Sequence, residues 1–157
     1  GPPKAGYDGP GIYASGPDAG RFSSLTEFGL VVHVMNGPIG AASALKMSYA
    51  GITKGFTALG TAMMLAASRG GSAEALKTEL AESRPDLLRY LSNQVPSMYS
   101  KAYRWVAELD EIAAFVGEEF PERDMLQAAA RLYERIAEDF EDRKEEIGKL
   151  DRFLEKS

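Results

Sequence analysis

Residues 37 to 51 read "GPIGAASALKMSYAG". Gly37 and Gly40 allow a sharp turn, and from Ala41 onward small and apolar residues follow one another for several helical turns. The helix begun here is expected to run from about Ala41 to Ser68, where "RGGS" ends it. It is apolar on nearly every side, the pattern of a central, buried helix. A membrane span is set aside, because the uncharged stretch from Phe56 to Ser68 holds only about 13 residues where a crossing needs ~20. Gly51, Gly55 and Gly60 each cost about 1 kcal/mol relative to alanine in a helix interior. They are expected to admit the close approach of another helix backbone, from this chain or a second subunit.

Upstream, "GIYASG" reads as a short strand closed by Gly16-Pro17, and "LVVHVMNG" as a β-branched strand closed by Asn36-Gly37. Between them "PDAGRFSSLTEFG" fits a helix of two to three turns, with Pro17 near its first turn and Gly29 past its end. Strand, helix, strand is the order of a parallel crossover. Two strands do not stand alone comfortably, so they are expected to be the rim of a larger sheet. Residues 1 to 11, dense in glycine and proline, read as loop.

Downstream the chain stays helical. Ser72 is placed to cap "AEALKTELAES", and Pro85 sits in the first turn of "RPDLLRYLSNQ". Pro96 is expected to open "SMYSKAYRWVAELDEIAAFVGEE", whose Tyr99, Tyr103, Val106, Leu109 or Asp110, and Ala113 recur at helical spacing. Pro121 opens a helix with an apolar stripe of Met125, Ala129, Leu132 and Ile136. The charged tail, with Phe140, Ile147, Leu150 and Leu154 as a narrow stripe, reads as a solvent-facing helix or a docking arm. The expected class is therefore mainly α, a helical bundle on one long buried helix after a short strand-helix-strand piece.

Charge divides the chain unevenly. From Val106 to Ser157 acids outnumber bases 16 to 8, while residues 1 to 70 hold three acids. Partners are expected to meet the first half, and the net charge of −5 argues against nucleic acid or an anionic membrane. With no cysteine there is no thiolate metal site or disulfide, which fits a reducing compartment and makes the cytoplasm the expected location. One histidine, His33, in mid-strand, makes a zinc site improbable and is read as structural. Neither "GYDGPG" nor "SRGGSA" supplies a phosphate-cradling G-x-G-x-x-G.

The opening stretch carries the remaining chemistry. The amides of Ala41 to Ser43, at the start of a helix, favour an anion such as a carboxylate or phosphate. Lys46 lies one turn further in, and Ser43, Lys46, Tyr49 or Ala50, and Thr53 share a face. A lysine desolvated on an apolar helix has a lowered pKa and can exchange protons near neutral pH. A lysine that snorkels to water or pairs with a carboxylate does neither. On pattern alone the two readings stand level.

"GPIGAASALKMSYAGITKG" resembles the start of the long helix in the β-hydroxyacid dehydrogenases, which include 3-hydroxyisobutyrate and 6-phosphogluconate dehydrogenases. Their pattern is roughly G-x-x-G-x-G-x-x-x-K-x-x-x-N, on which Gly37, Gly40 and Lys46 fall. "YRWVAELDEIA" and "GPPKAGYDGPGIYASG" resemble a phosphogluconate-dehydrogenase-like branch with its own C-terminal domain type. The resemblance implies that residues 1–36 are the last strands of a Rossmann-type domain that binds NAD or NADP, the rest of which this chain lacks. Residues 37–157 would form an all-helical substrate and dimerisation domain. The chain would then be the C-terminal part of a longer oxidoreductase, inactive alone, acting on a small-molecule acid and joined as a homodimer through the 41–68 helix. Lys46 would be the general acid/base, Gly40, Ser43, Tyr49 and Ala50 would line the substrate, and Arg104 would approach the cofactor, with no metal. The chain departs from the pattern at Ala42, in place of the third glycine, and at Ala50, in place of the asparagine. Arg104-Trp105-Val106 stands where the family has Lys-Asp-Leu. A hydroxyl from Ser48 or Tyr49 would have to replace the missing amide. The rival reading is a non-catalytic helical dimerisation or ligand-binding module.

Overall fold

The computed structural model describes residues 11–155; the expected N-terminal loop lies almost wholly outside them. Among the described residues the order is β1 (Ile12–Ser15), a 3-10 helix (Ala19–Phe28), β2 (Val32–Met35), then six helices. These are α1 (Ala41–Arg69), α2 (Ala73–Ser83), α3 (Pro85–Met98), α4 (Ala102–Val116), α5 (Glu122–Glu141) and α6 (Glu145–Leu154). The chain is mainly α, as expected. It divides into two compact units, residues 1–49 and 50–157, and α1 passes from one into the other.

In the first unit β1 and β2 are parallel, with Tyr13 opposite His33 and Ser15 opposite Met35. The connection is tighter than an α-helix. Ser24 and Thr26 hydroxyls donate to the carbonyls three residues back, of Arg21 and Ser23, which suits a three-residue turn. Gly29 ends the run at φ 77°, a left-handed cap. His33 stacks on Tyr13, ring centroids 4.8 Å apart, a packing role for the histidine.

The second unit is the bundle. Leu65, Val95, Met98, Leu109, Tyr133, Ile136 and Leu150 are fully buried. The C-terminal half of α1 enters this core through Thr57, Ala58, Thr61, Met64 and Leu65. Yet α1 is not buried all round, because Ile52, Phe56, Leu59 and Met63 are exposed along one side. The glycines are approached by side chains, not by a helix backbone. A Cβ at Gly51 would stand 3.2 Å from Ile112 Cγ2, and one at Gly60 only 2.3 Å from Leu91 Cδ2.

Several helix details depart from the sequence expectation. Pro96 lies inside α3 instead of opening the next helix. The neighbouring Val95 and Met98 are both completely buried, and their burial outweighs the lost backbone bond in a last turn. A 3-10 turn at Tyr99–Lys101 then leads into α4. In α4 the buried positions are Ala102, Leu109, Ile112 and Ala113, and Tyr103 is exposed. In α5 they are Ala129, Ala130, Tyr133 and Ile136, so the stripe is turned away from Met125 and Leu132. Ser72 occupies the cap position of α2 but makes no side-chain capping bond.

The tail is not a free arm. Asp139 accepts from the amides of Glu145 and Ile147, both at 2.9 Å, and caps α6. Ile147, Leu150 and Phe153 are buried. The Tyr99 hydroxyl donates to Asp151 Oδ1 at 3.0 Å.

Alanine at Gly60 gains about 1 kcal/mol of helix propensity but overpacks Leu91, which is itself buried, at about 1–3 kcal/mol. Gly55 has only Leu126 Cδ2 at 4.0 Å. Chemical denaturation should therefore show Gly60→Ala less stable than wild type and Gly55→Ala equally or more stable. Burial pushes the phenols of Tyr99 and Tyr133 upward, helped for Tyr99 by the Asp151 bond and its charge and for Tyr133 by nearby Tyr90. The folded state thus favours the neutral phenol. Its contribution is complete below the unfolded value of about 10 and is lost as pH rises above it. Urea midpoints should fall above pH ~10, and Tyr133→Phe should flatten that fall.

Candidate functional site

The candidate residues gather where the first unit turns from strand to helix. Gly40 has φ 95°, a left-handed geometry that favours glycine, and it opens α1 at Ala41. The Gly16 amide donates to the Gly37 carbonyl at 3.1 Å, closing the end of β1 against the turn. The Ala42 amide donates to Ser15 Oγ at 3.0 Å. A side chain at the C-terminal end of β1 therefore caps α1 from 27 residues away.

This cap alters the expected anion site. The Ala41 amide donates to the Pro38 carbonyl at 3.1 Å and the Ala44 amide to that of Gly40 at 2.9 Å. With Ala42 on Ser15, Ser43 keeps the one first-turn amide with no partner among the described residues. An anion at this helix start would meet one open donor, not three, unless it displaced Ser15. The adjoining cleft, about 230 Å³, is lined by Tyr13, Ser15, Phe22, Gly40, Ala42 and Ser43 among others.

Lys46 follows one turn on and is exposed, as are Ser43 and Tyr49, while Ala50 is half-buried. Gly40, Ser43, Lys46, Tyr49 and Ala50 thus lie along the first two and a half turns of one helix. Tyr49 and Lys46 do not line the cleft. Arg104 is exposed on α4, in the second unit. Among the described residues no group of three or more His, Asp or Glu is placed to hold a metal. No described helix is long and apolar enough to cross a membrane.

The buried lysine of α1 is Lys54, whose side chain is 13% exposed. Its Nζ lies 2.9 Å from Glu108 Oε2 and 5.4 Å from the centre of the Trp105 ring. Tyr133 packs edge-on against Trp105 and donates to the Lys54 carbonyl at 2.6 Å. This cluster was not foreseen. The only sequence signal was the i, i+3 pair Trp105 and Glu108, which cannot name its partner. All of its groups are engaged with one another, which makes it a tie between helices.

Two comparisons found similarity to known proteins. Residues 67–136 match the model of a family described as a domain of unknown function, DUF1932. A solved structure of a conserved protein of unknown function, described as similar to 3-hydroxyacid dehydrogenases, superposes with a TM-score of 0.71 at 27% identity. The match covers 89% of this chain and 52% of that one. The chain is similar in fold to that protein. It spans about half the length of that structure. No curated protein matches it.

If Ser15 caps α1, Ser15→Ala should lower stability by about 0.5–2 kcal/mol, read as a shifted denaturation midpoint. Ser15→Thr, which keeps the oxygen, should recover most of the loss.

Proposed function

We propose that the chain is the C-terminal catalytic and dimerisation part of an NAD(P)-dependent oxidoreductase acting on a small hydroxyacid-type substrate, with Lys46 as general acid/base. One observation carries the reading. Ser15 ties the start of α1 to the carboxyl end of a parallel strand, the edge at which open α/β sheets bind ligands. Lys46 is set one helical turn, about 6 Å, beyond that edge and is exposed.

In this reading the substrate's acid group rests on the Ser43 amide and hydroxyl beside Gly40. The Lys46 amine faces the oxygen on the carbon that is oxidised or reduced. As the substrate hydroxyl becomes a carbonyl, Lys46 receives its proton; in the reverse direction it returns it. NAD or NADP supplies the hydride chemistry and is held mainly by residues outside this chain, with Arg104 its candidate contact here. The cleft of about 230 Å³ is smaller than the roughly 300 Å³ at which small-molecule sites begin. The reading has its remaining walls come from the rest of a Rossmann-type domain, of which β1 and β2 are the last strands. Exposed Phe22, Phe28 and Val34 are apolar surface that such a domain would cover. The reading also includes a cytoplasmic homodimer joined through the helical part.

Ala50 favours a second reading, a non-catalytic module for dimerisation or ligand binding. It offers no polar group one turn after Lys46, where the related enzymes carry an amide, and only Ser48 or Tyr49 can supply a hydroxyl nearby. Nicotinamide-cofactor titration of the full-length protein separates the two: binding supports the oxidoreductase, and its absence supports the module. In the full-length protein, Lys46→Ala should lower turnover about 10²–10⁴-fold with cofactor affinity retained. Turnover near wild type would remove Lys46 from the mechanism.

A further inference from the structure

Two cations open α4. Lys101 and Arg104 stand one turn apart, both exposed, and neither makes an ion pair among the described residues. Like charges three residues apart on a helix repel each other. The chain is acidic overall, at −5, so carboxylates are not scarce. Within four residues of Arg104 the one carboxylate is Glu108, at the i, i+4 spacing that brings helical side chains within reach.

Glu108 is already taken. Its Oε2 lies 2.9 Å from Lys54 Nζ on α1. The two claims on this carboxylate are unequal. The Lys54 side chain is 13% exposed and lies against the Trp105 ring, where an unpaired ammonium would be strongly destabilising. An Arg104–Glu108 pair would lie in water, a setting in which ion pairs contribute little. It would also run from cation to acid along the helix, the weaker of the two orders. Lys54 therefore wins Glu108, and Arg104 is left open.

We infer that Lys54 is a positioning residue: by holding Glu108 it keeps the Arg104 guanidinium, with Lys101 beside it, free for an oxyanion of a bound ligand. Lys54 itself does not touch the ligand. A guanidinium presents a rigid fork of donors that fits a phosphate on two atoms, and Glu108 would compete for the same fork. The inference rests on the proposed function, in which Arg104 contacts the dinucleotide, and it names the group met there as a phosphate of NAD or NADP.

The test titrates the full-length protein with NADH and with NADPH by calorimetry. Arg104→Met should weaken one or both by about ten-fold or more, the loss of a charge-assisted bond. Lys54→Met keeps the stem and removes the charge, which releases Glu108. It should weaken the same binding about two- to three-fold, the size of an exposed helical pair, and the deficit should shrink in roughly 0.5 M salt. Adding Glu108→Gln to Lys54→Met should restore the affinity, because no carboxylate then remains to occupy Arg104. A residue serving packing alone would leave that double variant no better than Lys54→Met. Ser100→Glu gives a second route that leaves the Lys54–Glu108 tie intact. It places an acid four residues before Arg104, at an exposed position, and should also weaken binding. A stability cycle needs no ligand: Arg104→Met and Glu108→Gln should be additive in the wild-type background and coupled in Lys54→Met. Affinity unmoved by both Lys54→Met and Ser100→Glu, or not recovered by Glu108→Gln, overturns the inference and leaves Arg104 as a cofactor contact. Affinity unmoved by Arg104→Met overturns that contact and the inference with it. Binding of neither cofactor by the wild-type protein overturns the oxidoreductase reading and the phosphate named here, while the stability cycle still decides whether Lys54 holds Glu108 away from Arg104.

Discussion

Two tyrosine hydroxyls hold the middle of α1. Tyr90, from α3, donates to the Thr53 carbonyl at 3.2 Å, and Tyr133, from α5, donates to the Lys54 carbonyl at 2.6 Å. These carbonyls belong to a helix interior and serve its own ladder, but a carbonyl has a second lone pair. The bonds fix the rotation of α1 against both neighbours, because only one side of a helix presents a given pair of carbonyls. Thr57 and Thr61 are buried on that side and return their hydroxyls to carbonyls four residues back, so their polar atoms are satisfied without water. An unmatched buried hydroxyl would cost about 1–3 kcal/mol. The packing of the bundle follows from this rotation. With Thr57 and Thr61 inward, Ile52, Phe56 and Leu59 must face out.

The same rotation explains how far the sequence could be read. The existence of α1, its start at Ala41 and its end near "RGGS" are written in local turn chemistry and unbroken apolar content. So are the two strands and their parallel crossover. The burial pattern was not, because an all-round apolar helix carries no periodicity that says which side is covered. On α5 the apolar positions include both Leu132 and Tyr133, one residue apart. Tyr133 wins the core because its ring can pack on Trp105 while its hydroxyl reaches a carbonyl. Leucine has no such second use. Pro96 misled for a related reason. A proline removes one amide, a local cost, whereas the neighbouring Val95 and Met98 gain from burial that no local rule records.

The candidate site was legible in its backbone and not in its partners. Gly40 is where the chain needs a positive φ, and a glycine-marked turn before a helix is a local signal. The Ser15 cap joins residues 27 apart, and "YASG" gives no hint of it, since a serine at a strand end is ordinary. That one bond reduces the open amides at the helix start, and so it changes what the site can hold more than any residue singled out beforehand. The lysines show the same limit. Lys46 and Lys54 look alike as interruptions of an apolar run. Only the tertiary position of Glu108 and Trp105 makes one a buried tie and leaves the other in water.

The distinction between these two lysines has a physical consequence for the helix they share. A buried ammonium is tolerable only when its charge is met, and Glu108, itself half-exposed at 47%, meets Lys54 without closing it off completely. Pairing Lys54 in this way turns its charge toward α4 and away from the exposed side of α1 that carries Ile52, Phe56 and Leu59. Lys46 has no such neighbour in its own unit among the described residues, and its charge stays available to whatever approaches the strand ends. One helix thereby keeps a cation where the sheet edge ends and conceals another where the bundle begins. The difference arises from which residues α4 brings alongside, not from any difference between the two lysines themselves.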